Sequence, residues 1–425
     1  MLERDYPRLK DRTLGGQILI PGGDLLEGSI DAMAQLDSSY LIVQGPPGTG
    51  KTYTVAHAIL SLLKAGKRIA VASNSHKAIN NLLEEVERRA TEASFSFVGG
   101  KKANKGNHDQ AFNGQYITTF LDAGKEPRGA SLLAGTAFYL SRPDQLDAFD
   151  YLFVDEAGQV SLGNLMAMGG CARNIVLIGD QMQLAQPVQG VHPGQSGQSC
   201  FEYLVQGEPT VPPERGILLD VSWRMHSDVC AFVSDAFYNG RLKAHPDNDE
   251  RRLILDGHAD PALKPFGLSV LEVDHQGCAQ VSIEEAQRIS QLVASLLTKH
   301  LREADGSQRA LTLEDILVVA PFNAQVNVLK RHLPDGARVG TVDRFQGQEA
   351  PVAIVSMAVS NGADAPRGSE FLFSPNRLNV AISRAQCLAV LVRGSNLLEM
   401  APSGVDDLLR LEAFARADAW QNGEG

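Results

Sequence analysis

The chain has 425 residues, 44% hydrophobic and 21% charged, with 39 Lys and Arg against 50 Asp and Glu for a net charge of -11. That length exceeds one ordinary α/β core, so two domains are expected. The acidic balance argues against a surface that coats nucleic acid without specificity, while leaving room for a narrow channel of amides, hydroxyls and a few cations. No window is apolar enough to span a bilayer, the N-terminal residues 1–5 lack signal-peptide character, and the five cysteines form no C-x-x-C pair. The expectation is a cytoplasmic protein with free thiols, no zinc or iron–sulfur site and no membrane.

Residues 1–39 read as a lead-in punctuated by Leu14-Gly15-Gly16 and Pro21-Gly22-Gly23, with a helix over about 24–36. From Tyr40 short apolar strands alternate with amphipathic helices, the pattern of a parallel sheet covered on both faces. The first strand, 40–44, runs directly into Gly45-Pro46-Pro47-Gly48-Thr49-Gly50-Lys51-Thr52, and a helical pattern starts near Tyr53. This is G-x-x-x-x-G-K-T in a strand–loop–helix setting. Its glycines let backbone N–H groups curl around phosphates, Lys51 reaches the terminal phosphates, and the Thr52 hydroxyl is placed for Mg²⁺. The segment is therefore expected to bind a nucleoside triphosphate.

Residues 68–72 read as the next buried strand, and 78–89 as a helix with Ile79, Leu82, Leu83 and Val86 at helical spacing. About 99–130 holds Lys101, Lys102 and Lys105 among few apolar residues and reads as an insertion, partly ordered at best. Strands resume at 132–134, 151–154 and 175–178. Pro209, Pro212 and Pro213 mark the expected boundary, giving a first domain over 40–210 and a second over 216–425. The second half repeats the alternation, with strands at 268–273, 316–320, 352–357 and 388–392. Ile283, Ile289, Leu292, Val293, Leu296 and Leu297 mark a long amphipathic helix there. Tandem α/β halves with a single P-loop imply that one half binds nucleotide and the other closes on it.

Val154-Asp155-Glu156-Ala157 ends a buried strand. Asp155 is expected to hold Mg²⁺, and Glu156 to polarise a water for in-line displacement. A D-E pair alone is as often an exposed acidic turn; downstream of a P-loop and on its own strand it becomes specific. Gly179-Asp180-Gln181-Met182-Gln183-Leu184 repeats the geometry, with Gln183 as the amide that can contact phosphate and water. Taken alone, that segment is an ordinary polar loop. Two later segments supply arginines, Trp223-Arg224-Met225-His226 and Asn379-Val380-Ala381-Ile382-Ser383-Arg384-Ala385. A γ-phosphate bridged by arginines of a second domain would make closure depend on the nucleotide and stabilise the transition state.

In order, these motifs resemble those of the superfamily 1 helicases, in the branch that holds the nonsense-mediated-decay helicase and the eukaryotic nuclease–helicases of flap processing. To those above the resemblance adds Thr341-Val342-Asp343-Arg344-Phe345-Gln346-Gly347-Gln348-Glu349, and it reads Trp223-Arg224-Met225-His226 as the usual Y-R-M-H. It implies an α/β fold of two tandem RecA-like domains. It implies an ATP- and Mg²⁺-dependent translocase or helicase on single-stranded nucleic acid, moving 5′ to 3′. By this resemblance Arg224 and Arg384 are arginine fingers, while Gln346, Gly347 and Glu349 couple nucleotide to strand. Ser73-Asn74-Ser75-His76, Gly135-Thr136, Pro321-Phe322-Asn323 with Gln325, and Thr341 match single-strand contacts. Hydroxyls and amides at strand ends suit gripping of sugar and phosphate without base readout. The run from Ser73 to Leu82 further resembles bacterial proteins in which a RecB-like nuclease is fused ahead of such a helicase. The chain then reads as the helicase half alone, with a separate nuclease as candidate partner, and DNA is favoured over RNA on that ground.

The chain departs from the family pattern in three places. Leu26-Glu27-Gly28-Ser29 stands where an adenine-reading Gln is usual, with Tyr53 as a stacking substitute. Ala350-Pro351 follows Glu349 where an acidic residue is common. Residues 1–39 are too few for the β-rich accessory module that relatives carry before the P-loop, so translocation is a firmer expectation than duplex unwinding. The competing readings are an ATP-gated clamp or regulatory ATPase serving a separate nuclease, an RNA helicase, and an unrelated P-loop kinase or transport ATPase. The two arginine motifs weigh against the last.

Overall fold

The computed structural model describes residues 1–185, 190, 192–402 and 404–421. Contacts divide the chain into two units, one of residues 1–46, 50–181 and 185–219, the other of 47–49, 182–184 and 220 onward.

In the first unit α1 (Leu25–Ala34) is capped by Asp24, whose carboxylate accepts the Glu27 amide. Then come β1 (Tyr40–Gln44), α2 (Lys51–Lys64), β2 (Ile69–Ala72) and α3 (His76–Glu92), the last capped by Ser75. The remaining strands are β3 (Gly99–Lys102), β4 (Ile117–Phe120), β5 (Leu132–Gly135), β6 (Phe149–Val154), β7 (Ala172–Gly179) and β8 (Gly216–Leu218). Short helices α4 (Ala137–Leu140), α5 (Leu162–Gly169) and α6 (Cys200–Val205) link them. All eight strands run parallel in the order β4-β3-β5-β2-β6-β7-β1-β8. Successive side chains of a strand point to opposite faces, and here both faces are covered. Leu41 and Val43 pack with Val55, Ile59 and Leu83 on one side, while Ile42 and Ala72 join Leu165 and Phe201 on the other.

Two sequence expectations change here. Residues 99–130 are not a loose insertion: they supply the edge strands β3 and β4, with Ile117 and Phe120 buried. Glu87 of α3 holds the segment, its carboxylate accepting the amides of Gln115, Tyr116 and Ile117 at 2.9, 2.9 and 2.7 Å. The boundary also moves. The strand beyond the proline cluster, β8, pairs with β1, so the first unit runs to Leu219 rather than ending near 210.

The second unit begins with β9 (Val221–Ser222), α7 (Ser227–Phe237), β10 (Lys243–Ala244), β11 (Arg252–Ile254), β12 (Gly267–Val273) and α8 (Ile283–Leu296). The hairpin β13 (His300–Arg302) and β14 (Gln308–Ala310) extends β11 into a small antiparallel sheet. Then follow β15 (Ile316–Ala320), α9 (Asn323–His332), β16 (Arg338–Thr341) and β17 (Ala350–Ser356). The helices α10 (Ser369–Leu372) and α11 (Pro375–Ile382), β18 (Ala385–Gly394) and α12 (Val405–Gln421) complete it. Its main sheet is parallel, in the order β12-β18-β17-β15-β16. Ile289, Leu292, Val293 and Leu296 of α8 pack on one face, with Leu329 and Ile354. Ile283, at the start of the same helix, is 51% exposed and belongs to the apolar pattern without joining the core. Phe232 and Phe237 of α7 occupy the other face. Among the described residues no helix is long and apolar enough to cross a membrane.

Candidate nucleotide and nucleic-acid sites

Parallel strands share one carboxyl edge, and ligands of open α/β sheets bind there. At that edge of the first unit β1 ends on Gln44, and the loop 45–50 turns into α2, which starts at Lys51. Gly50 caps α2 at φ +76°, a left-handed conformation that glycine adopts without steric penalty. The unsatisfied N–H groups of a 14-residue helix therefore open onto the loop, a ready anion site. Lys51 Nζ donates to the Gly45 carbonyl. Tyr53 is 41% exposed, lies against His57 and carries the Arg89 guanidinium 5.1 Å above its ring, so α3 occupies one ring face.

Gln44 is fully buried and acts as a clamp that its local sequence does not announce. Its Nε2 donates to Pro209 O at 2.9 Å and to Asp180 Oδ1 at 3.3 Å, and its Oε1 accepts the Val211 amide at 2.7 Å. One side chain thus ties the base of the phosphate loop to the end of β7 and to the segment entering β8.

Asp155 follows β6 directly, is buried, and accepts the Glu156 amide at 2.9 Å. Burial, then the Glu156 charge, holds its pKa well above the usual carboxylate range, against a weaker pull from the backbone hydrogen bond and Lys51. A buried carboxylate held at that disadvantage is one whose charge a divalent cation would stabilise. The donor set is small, Asp155 with the Thr52 hydroxyl at the start of α2. That fits Mg²⁺, which takes one or two protein ligands and completes its shell with water and phosphate oxygens.

Glu156 sits at φ +52°, ψ +40°, in the left-handed region. A non-glycine residue held there costs of order 1–3 kcal/mol and persists only where its surroundings fix it. The fixing contact is visible: a Cβ on Gly179 would lie 2.8 Å from the Gly158 nitrogen and 3.0 Å from the Ala157 nitrogen. The carboxylate loop rests directly on the end of β7. Gly179→Ala must push backbone against backbone and is expected to lower stability by about 1–3 kcal/mol. Denaturant unfolding checks this, and an unchanged midpoint would contradict the close approach.

The second unit gathers a different set. Glu349 and Arg384 immediately precede β17 and β18, whose pairing starts at Ala350 and Ala385, so the two residues meet at the amino edge of the sheet. Arg224 Nε pairs with Glu349 Oε2, and its Nη1 donates to Ser383 O at 3.0 Å. Glu349 Oε1 accepts Gln386 Nε2 at 2.7 Å. Burial acts to raise the Glu349 pKa, but Arg224, the Gln386 amide and Arg384 outweigh it and hold the carboxylate below its ordinary value. Arg384 is 2% exposed, with Nε donating to Val380 O at 2.8 Å and Nη1 to Gln348 O at 3.1 Å. Gln346 is half-buried and Gly347 exposed on the loop before β17. Trp223 is 59% exposed and stacks on His245 with ring centroids 3.8 Å apart. Gln183 is buried. Its backbone segment is held by α11, through Asn376 donating to Gln183 O and Asn379 Nδ2 donating to Met182 O at 2.7 Å.

The residues matched to single-strand contacts in the first unit lie on the same carboxyl edge as the phosphate loop, because β1, β2, β5 and β6 are parallel. Ser73 follows β2 and is buried, its hydroxyl without a hydrogen-bond partner among the described residues. Asn74 Nδ2 donates to Gln159 O, His76 opens α3, and Thr136 precedes α4 with its hydroxyl outside any cap hydrogen bond. Phe138, which belongs to none of the motifs, is 87% exposed two residues later. In the second unit Pro321 follows β15 and Thr341 ends β16, side by side through the register Ala320 to Thr341. Asn323 is exposed there. Two members of that group prove structural. The Phe322 ring is buried in the core near Phe371. Gln325 is fully buried, bonded to Ser282 N, Ser282 O and Ser356 Oγ at 3.0 Å each. Neither side chain is available to a strand, because each completes packing beneath the loop.

Two family models, both described as an AAA domain, match residues 28–197 and 196–396. The DNA replication ATP-dependent helicase/nuclease JHS1 of Arabidopsis thaliana is 25% identical over 375 residues, covering 85% of this chain and 28% of that protein. The DNA replication ATP-dependent helicase/nuclease DNA2 of Mus musculus is 26% identical over 398 residues, covering 86% and 36%. The DNA-binding protein SMUBP-2 of Rattus norvegicus is 27% identical over 419 residues, covering 84% and 41%. The chain thus spans 28 to 41% of the length of these curated relatives. Its architecture is a pair of tandem RecA-like P-loop NTPase domains, each built on a parallel sheet.

Proposed function

We propose that this chain is an ATP-dependent DNA helicase of superfamily 1, which binds ATP and Mg²⁺ on its first unit and moves 5′ to 3′ along single-stranded DNA. One observation carries the reading. Lys51, Thr52, Asp155 and Glu156 stand together on one RecA-like unit, while the other presents an ordered arginine–carboxylate cluster. A simple kinase or transport ATPase has no need of that second cluster. The similarity to proteins named as ATP-dependent helicase/nucleases supports both ATP and DNA.

In the mechanism proposed, Lys51 leaves the Gly45 carbonyl for the terminal phosphates, and the amides of 45–52 cradle the rest. Thr52 and Asp155 would hold Mg²⁺, which supplies neutralisation of phosphate charge. Glu156 orients the attacking water, Gln183 contacts water and phosphate, and Arg224 and Arg384 stabilise charge that develops on the γ-phosphoryl group. Ser73, Asn74, His76, Thr136, Pro321, Asn323 and Thr341 grip sugar and phosphate. Residues 342–349, which include Gln346, Gly347 and Glu349, run from the carboxyl end of β16 to the amino end of β17. A shift of Glu349 with nucleotide is thereby passed to the strand side at Thr341. All five cysteines are free, which suits a reducing cytoplasm.

The test is ATP turnover with no nucleic acid, with single-stranded DNA, and with single-stranded RNA of equal length. Strong stimulation by DNA over RNA is the expected result. Turnover that no polymer stimulates would replace this reading with an ATP-gated clamp serving a separate nuclease. Lys51→Ala is expected to lower stimulated turnover by about 10²–10³-fold or more, as removal of a positioned charge-stabilising group does.

A further inference from the structure

Lys101 lies on β3 with its side chain fully buried, an unusual place for an ammonium. Among the described residues no carboxylate pairs with it. Its Nζ donates to the Gln110 carbonyl and lies 3.0 Å from Nδ1 of His76, the first residue of α3. Lys102, of the same sign, also acts on it.

An ammonium has three donors and no lone pair, so the imidazole nitrogen it touches must accept. Which nitrogen of a neutral imidazole carries the proton is set by the bond the other one makes. With Nδ1 accepting, the proton belongs on Nε2. Burial, then Lys102, brings the Lys101 pKa down to about 8, which leaves it mostly protonated at neutral pH. Burial, then Lys101 and Lys102, lowers the His76 pKa and keeps the ring neutral. His76 is half-buried on the carboxyl edge, and among the described residues its Nε2 has no hydrogen-bond partner.

We propose that Lys101 is a positioning residue that locks His76 in the Nε2–H tautomer, so that the imidazole donates to a phosphate oxygen of the bound strand. The opposite tautomer would turn a lone pair towards the phosphate and repel it. The inference rests on the reading above that His76 touches the strand, and it adds what makes that contact favourable.

Two measurements test it. The nitrogen chemical shifts of the His76 ring in the intact 425-residue chain report the tautomer directly, and a protonated Nε2 with a bare Nδ1 is expected. Binding of a fluorescent oligo-dT at fixed salt then gives the consequence. Lys101→Met and His76→Ala should each weaken binding about tenfold, the scale of one lost hydrogen bond, with little further loss in the double variant. A proton on Nδ1 in the parent protein overturns the proposal even if Lys101→Met fails to fold. A folded Lys101→Met that binds like the parent, beside a weakened His76→Ala, overturns the lock alone. A His76→Ala variant that binds like the parent overturns the strand contact together with the lock.

Discussion

Arg384→Ala is expected to retain ATP binding within a few-fold and to lose about 10³-fold or more of strand-stimulated turnover, the range of an arginine finger. The asymmetry follows from when the interaction forms. A group that meets charge developing on the γ-phosphoryl oxygens strengthens only in the transition state, so its loss appears in turnover rather than in affinity. The structure supplies a rival explanation that the measurement must separate. Arg384 is buried and holds the carbonyls of Val380 and Gln348. Removing the guanidinium leaves those acceptors unpaired, at about 1–3 kcal/mol each in a buried setting. A purely structural Arg384 would therefore lower the melting temperature and reduce turnover only with the folded fraction. Melting, binding of a fluorescent ATP analogue and turnover on the same preparation distinguish the two. Normal hydrolysis by a folded Arg384→Ala would end the finger assignment.

The parts that could be read from the chain are those whose physics is local. The phosphate-loop motif is contiguous, with its glycines, Lys51 and Thr52 inside eight residues. Strands such as Tyr40–Gln44 and Ile316–Ala320 announce themselves because burial on both faces demands an unbroken apolar run. What was not legible depends on partners far away in sequence. Residues 115–117 are ordered by Glu87, which looks like one more charge on a solvated helix face. Gln44 reads as a polar strand end until Pro209 and Val211 fold against it. Gln325 and Phe322 stand in a motif that points to strand contact, yet Ser282 and Ser356 claim the amide and the core claims the ring. Lys101 read as part of a lysine-rich, loop-like stretch, and only the pairing of β3 with β5 turns it inward.

Glu156→Gln is expected to cut turnover by about 10²–10⁴-fold, the usual contribution of a positioned general base, while ATP and single strand stay bound. The substitution preserves side-chain shape in the left-handed position that Gly158 and Gly179 support. The nucleotide-bound state should therefore assemble and then stall. Dissociation of labelled strand after ATP addition is the readout, and release as fast as the parent's would remove Glu156 from the role of base. A second consequence tests the electrostatics apart from the chemistry. In the nucleotide-free protein Asp155 keeps its proton to a higher pH than in the unfolded chain, through burial first and the Glu156 charge second. The folded state then binds more protons than the unfolded one, so stability falls as pH rises from the ordinary aspartate range through the raised value. Removing the Glu156 charge lowers that value and narrows the window. Glu156→Gln should accordingly melt above the parent at pH 8, with the difference shrinking as pH falls towards the ordinary aspartate range. Equal melting at pH 8 would mean that burial alone holds the Asp155 proton, and that the two carboxylates do not sense each other.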